Sequence, residues 1–393
     1  MERIVVTGFG IVSSIGIGVA ETLQSLREGK SGIGRLKYLK TEHTELPCAE
    51  VPLSDAELKH LAAVSADEII TRTSLLGIIA LQEALNSAQI THREGRRIAF
   101  INGTTVGGME KSEQLYLDFV ENNTQNAYIS EHECGACTEK IAASTDHLFS
   151  YVTTLSTACS SAANAIALGA NLIKTGVVEV AVVGGSECLT KFHLNGFNTL
   201  LILDKEPCRP FDDTRSGLNL GEGAAYLVLE KERETRSIKA ILSGYGNACD
   251  AFHQTATSAE GVGIQLAMQK ALAMSGLFPY DIDYINVHGT GTPNNDSSEG
   301  KSILKVFHDK LPAISSTKSM TGHTTSASGS IEAVISILAL QQGLIPPNLG
   351  FQKAMSDVPL IPVSQVTNQQ LRHVMSNSCG FGGNCTALIF SQE

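Results

Sequence analysis

The sequence predicts an α/β fold built from two similar halves, and three observations predict it. Apolar stretches such as residues 177–185, where Glu179 is the one charge, read as strands buried on both faces of a parallel sheet. They alternate with long helical patterns at 69–88, 161–174 and 261–275. A strand followed by Gly8-Phe9-Gly10 opens the chain, and a strand followed by Gly244-Tyr245-Gly246 opens it again near residue 238. Each half closes on an apolar strand, at 224–229 and at 387–390, which suggests an internal duplication. At 393 residues the chain exceeds the size at which one core usually splits. The halves are placed at residues 1–236 and 237–393.

In chain order, residues 3–7 read as a buried strand and Gly8-Phe9-Gly10 as a turn. A dinucleotide fingerprint is excluded there, because Ser13 stands where its third glycine belongs. Helices are predicted at 19–27, 55–62 and 69–88, and a strand at 97–102 that ends in a glycine cluster. Such a cluster is either a turn or a place where backbone approaches a ligand. A helix is predicted over 110–121. Residues 152–157 are β-branched and read as a strand; residues 161–174 are rich in Ala and Leu and read as a buried helix. The strand at 224–229 runs into a charged segment, 230–236, read as a solvated connection. In the second half a strand is predicted at 282–287 and a small-residue helix at 331–340.

Composition narrows the function. Hydrophobic residues make up 42% and charged residues 18%, a globular balance. The net charge of −11 argues against a nucleic-acid partner. Nine cysteines without framework spacing read as reduced thiols in a cytoplasmic compartment. No apolar run reaches the length of a membrane span. Cys134 and Cys137 form a single C-x-x-C, which lacks the further ligands of a zinc site, so no metal is expected.

Chemistry concentrates at strand ends. Cys159 lies where the strand at 152–157 turns into the helix at 161–174. Unpaired N–H groups and positive partial charge at a helix start favour a thiolate there; the alternative is a small buried core cysteine. His288 follows the strand at 282–287 and opens His288-Gly-Thr-Gly-Thr292. His323 closes Ser315-Ser-Thr-Lys-Ser-Met-Thr-Gly-His323. A third glycine-rich piece is Asn377-Ser-Cys-Gly-Phe-Gly-Gly-Asn384. Together they place a nucleophile and two histidines at the crevice of an α/β sheet.

These pieces resemble the β-ketoacyl–acyl carrier protein synthases of the elongating kind. T-A-C-S-S, G-E-G-A, H-G-T-G-T, S-S-T-K-S-M-T-G-H and G-F-G-G stand in family order over nearly the whole chain. The resemblance implies the thiolase fold, with duplicated βαβ halves in a five-layer α-β-α-β-α arrangement. It implies Cys159 as nucleophile, His288 and His323 as the catalytic pair, and Lys318 as a supporting charge. Thr290 and Thr292 match positions that bind the pantetheine arm, and Val106 matches a pocket floor. The amides of Cys159 and Cys379 match an oxyanion hole.

The same resemblance implies no resident cofactor, since the phosphopantetheine arm arrives on the acyl carrier protein. It implies a homodimer, or a heterodimer with a chain-length-factor-like subunit. Cys379 stands where fatty-acid enzymes carry a Phe gate, and segment 110–150 is short for that type. Both favour a polyketide- or polyene-pathway enzyme with an open pocket. The alternative reading has a neighbour such as Phe381, or a partner chain, closing the gate. Arg72 and Lys205 are the candidate docking cations. The rival functions are a thiolase, a non-catalytic chain-length factor and a housekeeping fatty-acid synthase. H-G-T-G-T argues against the first, and the presence of Cys159 against the second.

Overall fold

The computed structural model describes residues 3–90, 95–123, 127–146, 148–232 and 237–393. The first half contains β1 (Ile4–Ser13), β2 (Gly16–Ile17), α1 (Val19–Glu28), α2 (Asp55–Leu61), α3 (Arg72–Ala88) and β3 (Ile98–Gly103). It continues through α4 (Met109–Asn122), α5 (Cys134–Ala143), β4 (Tyr151–Leu155), α6 (Ser161–Lys174), β5 (Val180–Glu187), α7 (Lys191–Thr199) and β6 (Gly223–Lys231). The second half contains β7 (Ala240–Cys249), α8 (Val262–Ser275), β8 (Tyr284–Asn286), α9 (Pro293–Phe307), β9 (Ala313–Ser315) and α10 (Lys318–Thr321). It ends with α11 (Ser328–Gln342), β10 (Leu344–Ile345), β11 (Thr367–Asn368), β12 (His373–Cys379) and β13 (Asn384–Ser391).

The duplication is present in the topology. The first half orders its strands β4-β3-β5-β6-β1 and the second β9-β8-β12-β13-β7. In each half the first three of these pair in parallel and the last three antiparallel. A short antiparallel contact, Val5 with Ile241 and Val6 with Ala240, joins the halves edge to edge.

Strand periodicity builds five layers from these sheets. On β6, Ala225, Leu227 and Leu229 enter the core between the sheets, where α6 and α11 lie. Ala224, Tyr226 and Val228 face outward into a second core covered by α3 and α5. The second half repeats this. On β13, Leu388 and Phe390 point to the middle, while Ala387 and Ile389 pack on the outer side under α8. The layers are α, β, α, β, α, the thiolase arrangement.

Two sequence expectations are corrected. Gly8 and Gly10 are not a turn but lie inside β1, where α3 crosses closely. A Cβ on Gly8 would stand 2.4 Å from the Ala88 nitrogen, and one on Gly10 2.2 Å from the Ala80 oxygen. Gly244 and Gly246 do the same for α8, 2.3 Å from the Ala271 oxygen and 2.2 Å from the Ala267 oxygen. The repeated glycines thus mark helix-on-strand contact rather than loops. The charged segment does not begin as a solvated connection. Glu230 is a buried residue of β6 that accepts from the Thr7 hydroxyl and pairs with Arg96; residues 233–236 lie outside the described residues. Val106, which the resemblance matches to a pocket floor, is buried and packs with the apolar residues of the first half's outer core. Among the described residues no helix is long and apolar enough to cross a membrane.

Candidate active site

Cys159 sits on a sharp turn between β4 and α6, one residue before the helix N-cap Ser160. Ala158 takes a φ of 53°, so the chain reverses in the left-handed region immediately before the thiol. Hydroxyls fix that turn. Ser161 Oγ donates to the Ala158 carbonyl at 2.6 Å and accepts from the Thr157 N–H at 2.9 Å. Ser160 Oγ donates to Asn384 Oδ1 at 2.7 Å, and Asn164 Nδ2 donates to the same oxygen at 2.8 Å. Asn384 follows the G-F-G-G turn, so this pair ties the third glycine-rich piece to the nucleophile. Gly380 permits the approach, because a Cβ there would stand 2.8 Å from the Thr157 oxygen.

A cavity of about 240 Å³ brings the chemistry together. Cys159, His288, His323, Thr290, Thr292, Cys379 and Phe381 all line it, with Phe197, Ile202 and Leu218. The two histidine rings meet edge to face, 5.3 Å between centroids. Lys318 is buried and its Nζ lies 3.3 Å from His288 Nδ1. An ammonium has only protons to offer, so His288 carries its own proton on Nε2. Ser328 Oγ lies 3.0 Å from His323 Nδ1, and the Thr324 hydroxyl lies 3.1 Å behind it. With Ser328 donating, His323 is also protonated on Nε2. Burial, followed by the Lys318 charge, lowers the pKa of both rings well below the ordinary histidine value. Both are therefore neutral N–H donors at pH 7.

Lys318 is held by Glu332, a lone carboxylate in the otherwise apolar α11, which accepts a hydrogen bond from its Nζ. Burial pushes Glu332 up to about 7, against the pull of Lys318. Two more buried carboxylates shape the H-G-T-G-T loop. Glu299 accepts from the His288 and Gly289 N–H groups at 2.9 Å each. Asp296 accepts from the Thr290 N–H at 3.0 Å. None of Glu332, Glu299 and Asp296 received a role from the sequence. Their signal was present: a solitary carboxylate in a small-residue helix, and an i, i+3 acidic pair just after the motif.

The resting thiol differs from the expectation. Burial pushes Cys159 up to about 12; Lys318 and the Phe381 N–H, which donates to the sulfur, lower it by less. The helix start does not leave a thiolate at neutral pH. Only a thiolate is alkylated, and below its pKa the thiolate fraction rises tenfold per pH unit. Iodoacetamide labelling of Cys159 should therefore accelerate about tenfold per unit between about pH 7 and 9. Peptide mass spectrometry separates it from the exposed Cys249. A plateau near pH 7 would show the thiol to be acidic instead.

Phe381, two residues beyond Cys379, also reaches the nucleophile: its amide donates to the Cys159 sulfur. Cys379 is the last residue of β12, buried opposite Cys385, whose hydrogen bond and surrounding burial keep it protonated. The Phe381 ring stacks on Phe197 at 5.6 Å and 21°, forming an aromatic wall beside the nucleophile. Phe381 thus lines the cavity beside the small residue at 379. Arg72 offers nothing to a partner: it is buried, with Nη2 2.6 Å from Glu222 of the G-E-G-A motif and Nη1 3.0 Å from Asp55. Lys205 is exposed. Cys134 and Cys137 lie along α5, and among the described residues no cluster of three metal-ligating side chains occurs.

A thiolase-fold protein with a buried cysteine, two neutral histidines and a lysine around one cavity defines an acyl-transferring class. Within it, this chain belongs to the β-ketoacyl synthase family. The N-terminal domain of that family matches residues 1–235, and its C-terminal domain residues 239–352. It is 34% identical to nodulation protein E of Rhizobium meliloti (strain 1021), covering 100% of this chain and 99% of the relative. It is 30% identical to 3-oxoacyl-[acyl-carrier-protein] synthase 2 of Staphylococcus aureus (strain COL), covering 100% and 98%. Among solved structures, the ishigamide ketosynthase/chain length factor matches at 30% identity and a TM-score of 0.94, over 100% of this chain and 99% of that one. The ketosynthase ApeO, solved with its chain length factor ApeC from Xenorhabdus doucetiae, matches at 30% and 0.87, over 100% and 98%. The chain is a β-ketoacyl synthase, an acyltransferase.

Proposed function

We propose that this synthase extends an acyl chain delivered by an acyl carrier protein, with Cys159, His288, His323 and Lys318 as its machinery. The convergence of these four on one region carries the proposal. First, the acyl carbon leaves the phosphopantetheine sulfur for the Cys159 sulfur. One C–S bond breaks, another forms, and the thiol proton departs with the carrier's sulfur. The N–H groups of Cys159 and Cys379 stabilise the oxyanion formed on the way. Second, a malonyl thioester, its arm held by Thr290 and Thr292, loses CO₂. The freed electron pair becomes an enolate, whose oxygen accepts from His288 and His323 Nε2–H. Third, the enolate carbon bonds to the acyl carbon, the Cys159 C–S bond breaks, and the thiolate takes a proton from solvent.

The likeness to the two ketosynthases solved with chain length factors favours a polyketide- or polyene-type pathway over housekeeping fatty-acid elongation. Pairing with a second subunit has support at the open end of the first sheet. β4 is its edge strand, and Tyr116, Leu117, Phe119 and Val120 of α4 are exposed. That subunit is a second copy or a chain-length-factor-like partner. Nine free thiols suit a reducing cytoplasm.

Incubation with a panel of acyl carriers, then mass spectrometry of the peptide containing Cys159, tests the reading. An acyl mass on Cys159 is expected. Acyl transfer to another residue, with Cys159 unmodified, would overturn it.

A further inference from the structure

We propose that the acyl carrier docks on this synthase through apolar contacts centred on Leu201 and Phe252, rather than through a basic patch. The proposal rests on the carrier-dependent reaction above and names the surface that reaction uses. Whatever delivers a thioester to Cys159 must cover the mouth of the cavity, since the arm enters there. Two segments frame that mouth, one from each half.

In the first half the chain leaves α7 and reaches Ile202, which lines the cavity. Immediately before it, Leu201 takes a φ of 56° and stands 85% exposed. A leucine in the left-handed region is strained, and here the strained residue holds an aliphatic side chain in water. In the second half the segment after β7 supplies Thr255, Ala256 and Thr257 to the cavity wall. Phe252 lies at its start, 63% exposed. Singly exposed apolar residues are ordinary; two flanking one mouth on opposite halves, one of them strained, mark a binding rim.

Several cations of the segments around the mouth are engaged elsewhere. Arg209 donates to the Thr214 carbonyl and pairs with Asp204 at 3.4 Å. Arg215 donates to the carbonyls of Asp212 and Pro293, 3.0 Å each. Lys353 pairs with Asp213 at 2.7 Å. Arg72 is buried on Glu222. Lys205, beside the exposed Glu206, and the exposed Arg35, next to the Leu36 that packs with Ile202, remain as two scattered charges. With a net charge of −11 behind this rim, an acidic carrier gains no long-range attraction. Apolar burial is the contact the rim has to offer.

Steady-state condensation separates docking from chemistry when the same malonyl unit is offered on the carrier and on free pantetheine. The double variant Leu201→Ser, Phe252→Ser should raise KM for the carrier substrate by about tenfold or more, as loss of interface anchors does. Turnover number and the free-pantetheine reaction should stay within about twofold. Val177→Ser, an exposed apolar change at the far end of α6, should change neither. Raising NaCl from about 50 to about 500 mM should move the carrier KM by less than about threefold, since apolar contacts are not screened. A carrier KM unchanged in the double variant overturns the docking surface. So does a KM that climbs steeply with salt and is reproduced by Lys205→Glu. A parent enzyme inactive on both thioesters would overturn the reaction itself.

Discussion

Cys159→Ala is expected to abolish condensation while malonyl decarboxylation persists. The acyl chain has no other sulfur to occupy in the cavity: Cys379 also lines it, but is held as a buried thiol by Cys385 and its surroundings. Without an acyl-enzyme there is no electrophile for the enolate, so carbon–carbon bond formation should fall below detection. The enolate itself depends on His288, His323 and Lys318, and none of these is held by the Cys159 side chain. Lys318 hangs on Glu332, His323 on Ser328, and the His288 backbone on Glu299. Carbon dioxide released from malonyl carrier, measured beside β-ketoacyl product, reads the two halves of the reaction separately. Condensation at the parent rate in this variant would remove Cys159 from the mechanism. Loss of decarboxylation as well would mean that the thiol helps to form the enolate.

What could be read from the sequence divides along physical lines. Periodicity and strand-end glycines carry local information, so the duplicated halves, the helix at 161–174 and the placement of Cys159 were legible. Motif spacing put His288 at a strand end, where α/β sheets form their crevices, whereas His323 follows the short α10 beyond β9. Local patterns do not report which helix crosses which strand. Gly8 and Gly10 therefore read as a turn, when their lack of a Cβ serves the passage of α3. Nor do they report what a long side chain reaches: Arg72 read as a surface cation and is consumed by Glu222, distant in sequence. That the Phe381 amide and ring reach the site has the same origin, since only the path of the glycine turn decides which groups face the sulfur. The thiol's acidity failed for a different reason. A helix start favours a thiolate, but complete burial outweighs it.

The remaining large effect concerns the histidines. His288→Ala and His323→Ala should each slow malonyl decarboxylation by about 10²–10³, about 2.7–4 kcal/mol, the scale of one lost oxyanion donor. Transfer of the acyl group to Cys159 should suffer less, because the proposed oxyanion donors of that step are backbone amides and not the histidines. The protonation state supplies a second check. A histidine pKa lowered in the fold means the ring stays neutral below its ordinary value, 6.5. Protonation of the rings should thus cost no decarboxylation between about pH 8 and about pH 6, and any loss inside that window reports Glu332, pushed up to about 7 beside Lys318. The same shift bears on stability. Below pH 6.5 the unfolded chain takes up protons that the buried rings refuse, so stability falls as pH drops, by up to about 1.4 kcal/mol per pH unit for each ring. The pH of loss must therefore be separated from unfolding by circular dichroism on the same samples. A decarboxylation rate that rose as pH fell through 7, with the fold intact, would mean that an imidazolium rather than a neutral ring holds the enolate. Equal losses in acylation and decarboxylation in both variants would show instead that the pair shapes the cavity and does not act selectively on the malonyl unit.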